Sequence, residues 1–236
     1  TTVREGVSVG VTGKYHIGHG ILVGRDLGSQ ATADPLAIDV DLPLLLPLEG
    51  AGIGDGGSGI GLDVGARIER GVWTFAATAR NLVNTFSWDV DALGYRPGTA
   101  LFNDTSSEVD FDERSSAEAP AVLTEVVEGA TIGPEVALGA TWQGIERVKL
   151  TANLQQRFGE GLAFGPAFSA GVGAEYALAP WLPVRAHAVA ISGGVQVGGG
   201  ASLNLGPVGL TSAFGIRRGD DIDQVLGAFS FTLGIR

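Results

Sequence analysis

The chain has 236 residues, of which 44% are hydrophobic and 17% are charged, and its mean hydropathy of +0.24 is high for a soluble protein. It contains no cysteine, which excludes a disulfide framework and thiol chemistry, and its formal net charge of −11 argues against nucleic acid as a partner. No run of 18 apolar residues occurs, so a transmembrane helix is not expected.

The first predicted strands lie near the start of the chain. Val7, Val9 and Val11 alternate with small or polar residues, which is the period of two that β-strands show. The stretch 15–23 is interpreted as the return strand of the same hairpin. A long excursion, residues 26–57, then interrupts the alternation.

The best-defined hairpin spans residues 58–88. Its first strand places the apolar residues Ile60, Leu62, Val64, Ala66 and Ile68 on one face and Gly61, Asp63, Gly65, Arg67 and Glu69 on the other. A turn at Arg70-Gly71 sets Ile68 beside Trp73 and Asp63 beside Thr78, with Arg80 one diagonal away. The second face therefore carries the charged candidates Asp63, Arg67 and Arg80.

Alternation resumes after a second excursion, residues 89–131, and continues to the last residues of the sequence. The predicted strands are 135–143, 148–157, 168–178, 184–191, 194–205, 207–217 and 224–235. Glu175 and Arg185 fall on two neighbouring strands and should face each other across the hairpin at Pro180. In total the chain shows about eleven strands.

The length of these strands favours one kind of β protein. Most of them have the roughly 9–11 residues that a tilted strand needs to cross a bilayer, whereas strands of soluble proteins average nearer 5–6. We therefore predict an all-β fold, a single antiparallel transmembrane β-barrel over residues 1–236 in a bacterial outer membrane. Because such barrels have even strand numbers, about 12–14 strands are expected in the complete protein.

The hairpin also resembles a known group of proteins. The segment GIGLDVGARIERGVWTFAATARNLVNTFSW is similar to a recurrent hairpin of the long-chain fatty-acid transporter-like superfamily, in its TraF-like and PorV-like branch. The shared pattern falls on Gly61, Asp63, Gly65, Asn81 and Leu82, and GAEYALAPWLPVRA further along resembles a second pair of strands of that group. The resemblance covers roughly residues 5–25 and 58–236.

The resemblance implies more chain before the region that is seen here. Members of the group have an N-terminal segment and several strands ahead of the part that resembles Val7 and its neighbours. The sequence starts at Thr1 without a signal peptide, although outer-membrane proteins are made with one. We therefore expect a processed chain or a piece of a longer protein.

Charged residues on the small-residue face are expected to point into the barrel interior. A charge facing lipid would cost roughly 2–4 kcal/mol, so these side chains belong to the lumen on energetic grounds alone. Two roles remain open for them, the shaping of a path for solutes and the closing of the interior by ion pairs. The lumenal candidates are Asp63, Arg67, Arg80, Glu175 and Arg185.

The apolar segment LPLLLPL, residues 42–48, is a second candidate. Its prolines disfavour the interior of a helix or a central strand. It is consistent with a lip that meets hydrophobic solutes, with a surface that docks a protein, or with a loop packed on the barrel rim or the headgroup region. The candidate residues are Leu42, Leu44, Leu45, Leu46 and Leu48.

Metal, cofactor and catalytic sites are not predicted. The acidic stretch 103–118, with Asp104, Glu108, Asp110, Asp112 and Glu113, lacks the spacing of a calcium loop and is expected to be solvated. No grouping of nucleophile, base and acid is visible, and an enzyme is not expected. No cofactor is implied.

Two functions from different classes follow from these patterns. The first is a channel or transporter for small, hydrophobic solutes, which the resemblance and the apolar segment favour. The second is a structural or adaptor barrel that anchors or presents other proteins at the cell surface, which the PorV-like resemblance and the two long loops favour. The expected partners are outer-membrane lipid and, through the long loops, other proteins or further copies of the chain.

Overall fold

The computed structural model describes residues 2–48, 50, 52, 54–103, 105–159, 161–162, 165–219 and 223–233. Asp104 and the last predicted strand position, Ile235, lie outside the described residues. The strands are β1 (Thr2–Arg4), β2 (Val7–Gly18), β3 (Val23–Gly24), β4 (Gln30–Ala33), β5 (Leu36–Asp41), β6 (Leu44–Pro47), β7 (Gly57–Arg70), β8 (Trp73–Asn84), β9 (Ser87–Trp88), β10 (Leu93–Arg96), β11 (Thr99–Asn103), β12 (Ser107–Asp110), β13 (Arg114–Ser115), β14 (Glu135–Ile145), β15 (Val148–Arg157), β16 (Phe168–Ala179), β17 (Leu182–Ile191), β18 (Gly194–Leu205), β19 (Val208–Gly219) and β20 (Gln224–Leu233). The helix α1 spans Ala121–Gly129.

One large antiparallel sheet dominates the fold. Its strand order is β1-β2-β7-β8-β14-β15-β16-β17-β18-β19-β20, with the short β9 paired to β7. This confirms an all-β antiparallel architecture, with eleven strands in the order of the large sheet. Among the described strands, no pair joins β20 to β1 or β2, so the sheet has two open ends.

Two-residue turns join most of the sheet at one rim, here called the turn rim. Gly71 adopts φ +58° in the turn between β7 and β8, and Arg147 adopts φ +65° in the turn between β14 and β15. The turns between β16 and β17 and between β18 and β19 lie at the same rim because consecutive antiparallel strands alternate in direction. Both long excursions leave from the opposite rim, which we call the far rim.

The first long strand differs from its prediction. Residues 15–23 were expected to turn back on Val7 and its neighbours, but β2 runs straight on to Gly18 and pairs along its whole length with β7. Gly13 and Lys14, the predicted turning point, pair with Leu62 and Gly61 as ordinary ladder positions. The apolar alternation continues through them, so one strand satisfies the pattern better than two short ones.

The register of the central hairpin is also corrected. The turn occupies Gly71-Val72, which pairs Arg70 with Trp73 and shifts every predicted partner by two residues. Ile68 lies opposite Phe75, and Gly65 rather than Asp63 lies opposite Thr78. The faces of the strands are unchanged, because a shift of two residues preserves the period of two.

The two excursions fold instead of forming long loops. Together with β3, which lies just before the first excursion, their strands make two separate four-stranded sheets, and each sheet draws strands from both excursions. We call β13-β10-β6-β3 the core sheet and β12-β11-β5-β4 the outer sheet, and the two sheets with α1 are together called the insert.

The insert holds the conventional hydrophobic core of the described chain. Its core sheet packs against α1 through a cluster of buried side chains, namely Leu45, Leu93, Tyr95, Leu123 and Val127. Short 3-10 turns lie before β10 and before α1 and complete the packing. Among the described residues, no helix has the length and apolar character needed to cross a membrane.

Candidate functional site

The two faces of the large sheet have opposite character, and in several strands they also have opposite exposure. Along β16 the apolar Phe168, Val172 and Tyr176 are exposed, whereas Ser169 and Gly171 on the other face are buried. In β19 the apolar residues are likewise exposed, and the glycine between them is buried. The enclosed face of the sheet is therefore the small and polar one, the reverse of a water-soluble sheet, and we call it the polar face.

A chain of hydrogen bonds joins four strands on the polar face near the turn rim. Arg185 Nε donates to Glu175 Oε2 at 2.5 Å, and Arg185 Nη1 donates to Ser202 Oγ at 2.8 Å. The hydroxyl groups of Ser202 and Thr211 are 2.9 Å apart. The structure thus places Glu175 opposite Arg185 in register and extends the pair across β16, β17, β18 and β19.

A second cluster lies on the same face nearer the far rim. Lys14 Nζ is 2.6 Å from Asp63 Oδ1 and donates to Asn81 Oδ1 at 2.5 Å. The backbone N–H of Asn81 donates to Asp63 Oδ1 at 2.8 Å. This arrangement needs the β-bulge opposite Asp63, where Asn81 adopts the left-handed φ of 51°, which asparagine tolerates better than most residues.

The other predicted charges find different partners. Arg80 pairs with Glu135 on β14, with Nη1 and Oε1 separated by 3.1 Å. Gln155 Nε2 donates to the second oxygen of the same carboxylate at 3.0 Å. Arg67 pairs with its own strand neighbour Glu69 on the polar face, at 2.5 Å.

Sequence reasoning missed Lys14, Glu135 and Ser202, although each completes a predicted site. Lys14 lies in β2, which reaches β7 across the whole first excursion, so no local turn reveals that the two strands are neighbours. Glu135 is the first residue of β14 and follows the second excursion. The alternation in β14 assigned Glu135 to the polar face, but the strand order that brings it to Arg80 was not readable from the pattern.

The polar face carries more basic than acidic residues. The described basic residues on it are Lys14, Arg67, Arg80, Lys149, Arg157, Arg185 and Arg217, and the acidic ones are Asp63, Glu69, Glu135 and Glu175. By contrast, the two excursions 26–57 and 89–131 contain sixteen acidic and two basic residues, a net charge of −14. The remainder of the chain has a net charge of +3, so the excess of negative charge lies in the excursions.

The apolar segment LPLLLPL is a strand of the core sheet and not a free loop. Leu45 is 0% exposed, Leu44 and Leu46 are half-buried, and Leu42 and Leu48 at the two ends are exposed. β6 is a central strand between β10 and β3, contrary to the expectation from its prolines. The strand tolerates them because Pro43 precedes β6 and Pro47 is its last residue, so neither interrupts the ladder.

Side-chain hydrogen bonds tie the insert to the far rim of the large sheet. Asn84 Nδ2 donates to the carbonyl oxygen of Ile132 at 2.7 Å, and Trp88 Nε1 donates to that of Ala130 at 2.8 Å. Asn81 Nδ2 donates to the carbonyl oxygen of Gly133 at 3.3 Å. Within the described part of the chain, no group of three or more His, Asp or Glu side chains is arranged to hold a metal ion.

No protein-family model matches the sequence, and no curated protein matches it significantly. Among solved structures, the chain is similar to a substituted variant of the Rhodopseudomonas blastica porin, with 10% identity, a TM-score of 0.35, and 90% of this chain and 89% of the porin covered. It is also similar to Pseudomonas aeruginosa OccK5 (OpdH), with 15% identity and a TM-score of 0.38 over 99% of this chain and 64% of that one. The fold assignment itself rests on the strand pairing described above.

Proposed function

We propose that the chain forms an outer-membrane β-barrel channel, with its polar face lining a path for small polar solutes. The observation that carries this proposal is the reversed exposure of strands such as β16 and β19, in which apolar side chains are exposed and small residues on the other face are buried. In water such a surface would be a strong aggregation hazard, whereas in a bilayer it is the expected outer surface of a barrel.

The lining favours polar over hydrophobic solutes. Most apolar side chains of the large sheet lie on the face opposite to the polar one, and Leu45, the most deeply buried leucine of the LPLLLPL segment, lies inside the core of the insert. The excess of basic residues on the polar face further favours anions over cations. The sequence suggested a hydrophobic solute, and this remains a prediction. An apolar adduct bound to the purified chain would support it.

Ion selectivity in a planar bilayer tests this proposal. Under a potassium chloride gradient, the reversal potential should show a preference for chloride. Arg217→Gln removes a polar-face charge and should reduce that preference, whereas Arg218→Gln, its neighbour on the opposite face, should leave it unchanged. No conductance at all, or an equal effect of both substitutions, would overturn the proposed path.

A second function, the presentation of another protein, is favoured by the outer sheet. This sheet is built from the excursions that leave the far rim, and Leu36, Ile38, Phe102 and Val109 on its apolar face are exposed. The large sheet would then act as an anchor, and the insert as the part that meets the partner.

A further inference from the structure

The outer sheet has two chemically different faces. Strand pairing puts one set of residues on the apolar face, namely Ala31, Ala33, Leu36, Ile38, Val40, Ala100, Phe102 and Val109. The opposite face carries the carboxylates of Asp39, Asp41, Glu108 and Asp110. The sheet is therefore amphipathic, as a sheet is when one side packs on another layer.

Most of the apolar face is exposed, although Ala100, between Val40 and Val109, is only 6% exposed. Leu36 is 60% exposed, Val109 is 59% exposed, and Ile38 and Phe102 are each 43% exposed. The core sheet, built from the same two excursions, buries its apolar side chains against α1. Because small antiparallel sheets need a packed face for stability, an occupant of the apolar face would complete the outer sheet as α1 completes the core sheet.

Charge restricts what the occupant can be. The excursions that build the insert have a net charge of −14, and four of their carboxylates lie on the reverse face of this same sheet. A second copy of the chain would bring an equal negative charge to the contact, and a surface of anionic headgroups would also be repelled. A basic polypeptide would instead be attracted and steered towards the face.

We propose that the apolar face of the outer sheet binds a cationic polypeptide that presents alternating apolar and basic side chains. The apolar side chains of the partner cover Leu36, Ile38, Phe102 and Val109, and its basic side chains remain at the edges of the contact, near the carboxylates of the insert. This inference rests on the presenting function and not on the channel, so the absence of conductance would leave it standing.

A defined probe tests the proposal on the full chain in nonionic detergent micelles. The probe is a fluorescent twelve-residue peptide of alternating lysine and valine, and its affinity is measured by anisotropy at low and high salt. A peptide of alternating glutamate and valine serves as the comparison. We expect the lysine peptide alone to bind, and to bind more weakly as salt rises.

Substitutions locate the contact. Phe102→Ser combined with Val109→Ser should weaken binding by about tenfold or more, because two apolar contacts are lost from an exposed patch. Val126→Ser, which changes an exposed apolar side chain of α1 in the same insert, is the matched control and should bind as the unchanged chain does. Asp39→Asn with Glu108→Gln should reduce both the affinity and its salt dependence. Val109→Ile should retain binding.

Three results would overturn the proposal. These are equal binding by the Phe102/Val109 variant and the Val126 variant, equal binding of the glutamate peptide, and dimers of the chain that the Phe102→Ser and Val109→Ser substitutions dissociate. Circular dichroism of each variant checks that the exposed substitutions leave the fold intact.

Discussion

At the residue scale, Leu45 and Val172 show how the same chain uses apolar side chains in two environments. Leu45 is completely buried among Leu93, Tyr95 and the residues of α1. Val172 in β16 is 62% exposed, although it belongs to a long and regular strand. Burial in the insert follows the rules of a water-soluble core, and exposure in the sheet follows those of a lipid-facing surface.

Truncation of Leu45 should destabilise the insert. Leu45→Ala leaves a cavity in the core and should lower the local free energy of unfolding by about 2–5 kcal/mol. Hydrogen exchange of the amides in β10 and α1 measures the change. Leu42→Ala, at an exposed position just before β6, is the control, and equal losses in the two variants would contradict the assignment of Leu45 to the core.

Tyr95 makes the insert sensitive to alkali. Burial raises the pKa of its phenol above the ordinary value of 10.0. The folded state therefore holds the proton more tightly than the unfolded state, and the stability of the insert falls as the pH rises above 10. Unfolding of the insert followed at pH 9 and pH 11 should show this loss, and Tyr95→Phe should remove the pH dependence. A loss that persists in Tyr95→Phe would assign the effect to another group.

At the element scale, alternation was the feature that sequence could predict. The seven long strands after the second excursion lie where the period of two placed them, because the side-chain period is independent of tertiary context. The register of β7 and β8 was predicted wrongly, since a two-residue shift leaves both faces unchanged and the pattern cannot detect it. The bulge at Asn81 was missed for the same reason.

Arginine scanning of two adjacent strands should separate the faces. Val172→Arg places a charge on the exposed apolar face and should cost roughly 2–4 kcal/mol of stability in a bilayer, whereas Thr151→Arg on the polar face of β15 should cost much less. Folding titrations into lipid vesicles measure both. If the apolar face were in contact with water, Val172→Arg would be as well tolerated as Thr151→Arg.

At the scale of the whole molecule, the charge difference between the excursions and the rest of the chain can be counted from the sequence. The three-dimensional arrangement of the excursions cannot be read from it. The excursions are acidic and the strands slightly basic in the sequence itself. Their assembly into two small sheets depends on short strands such as β3, β10 and β13, whose two to four residues carry no readable period. The assembly of these sheets therefore depends on strand pairing between the two excursions, which the local sequence pattern does not contain.

The open ends of the large sheet lead to a prediction about backbone hydrogen bonds. Unpaired peptide groups within a bilayer cost several kcal/mol each, so the outer edges of β2 and β20 should be paired once the chain is in lipid. The two strands run in opposite directions, which permits antiparallel pairing between them. Hydrogen exchange should show the amides of β20 as protected as those of β19 in vesicles, and rapid exchange confined to β20 would contradict this.

The interleaving of the two excursions has a consequence for how such a chain can diversify. Each small sheet takes strands from both sides of the β7–β8 hairpin, so loss of either excursion would leave only one pair of strands of each sheet. Insertions and deletions in one excursion must then be matched in the other, and recombination between related genes would preserve the fold only by exchanging both excursions and the intervening hairpin as one block. The insert should therefore be inherited as a unit, although two separate segments of the sequence form it.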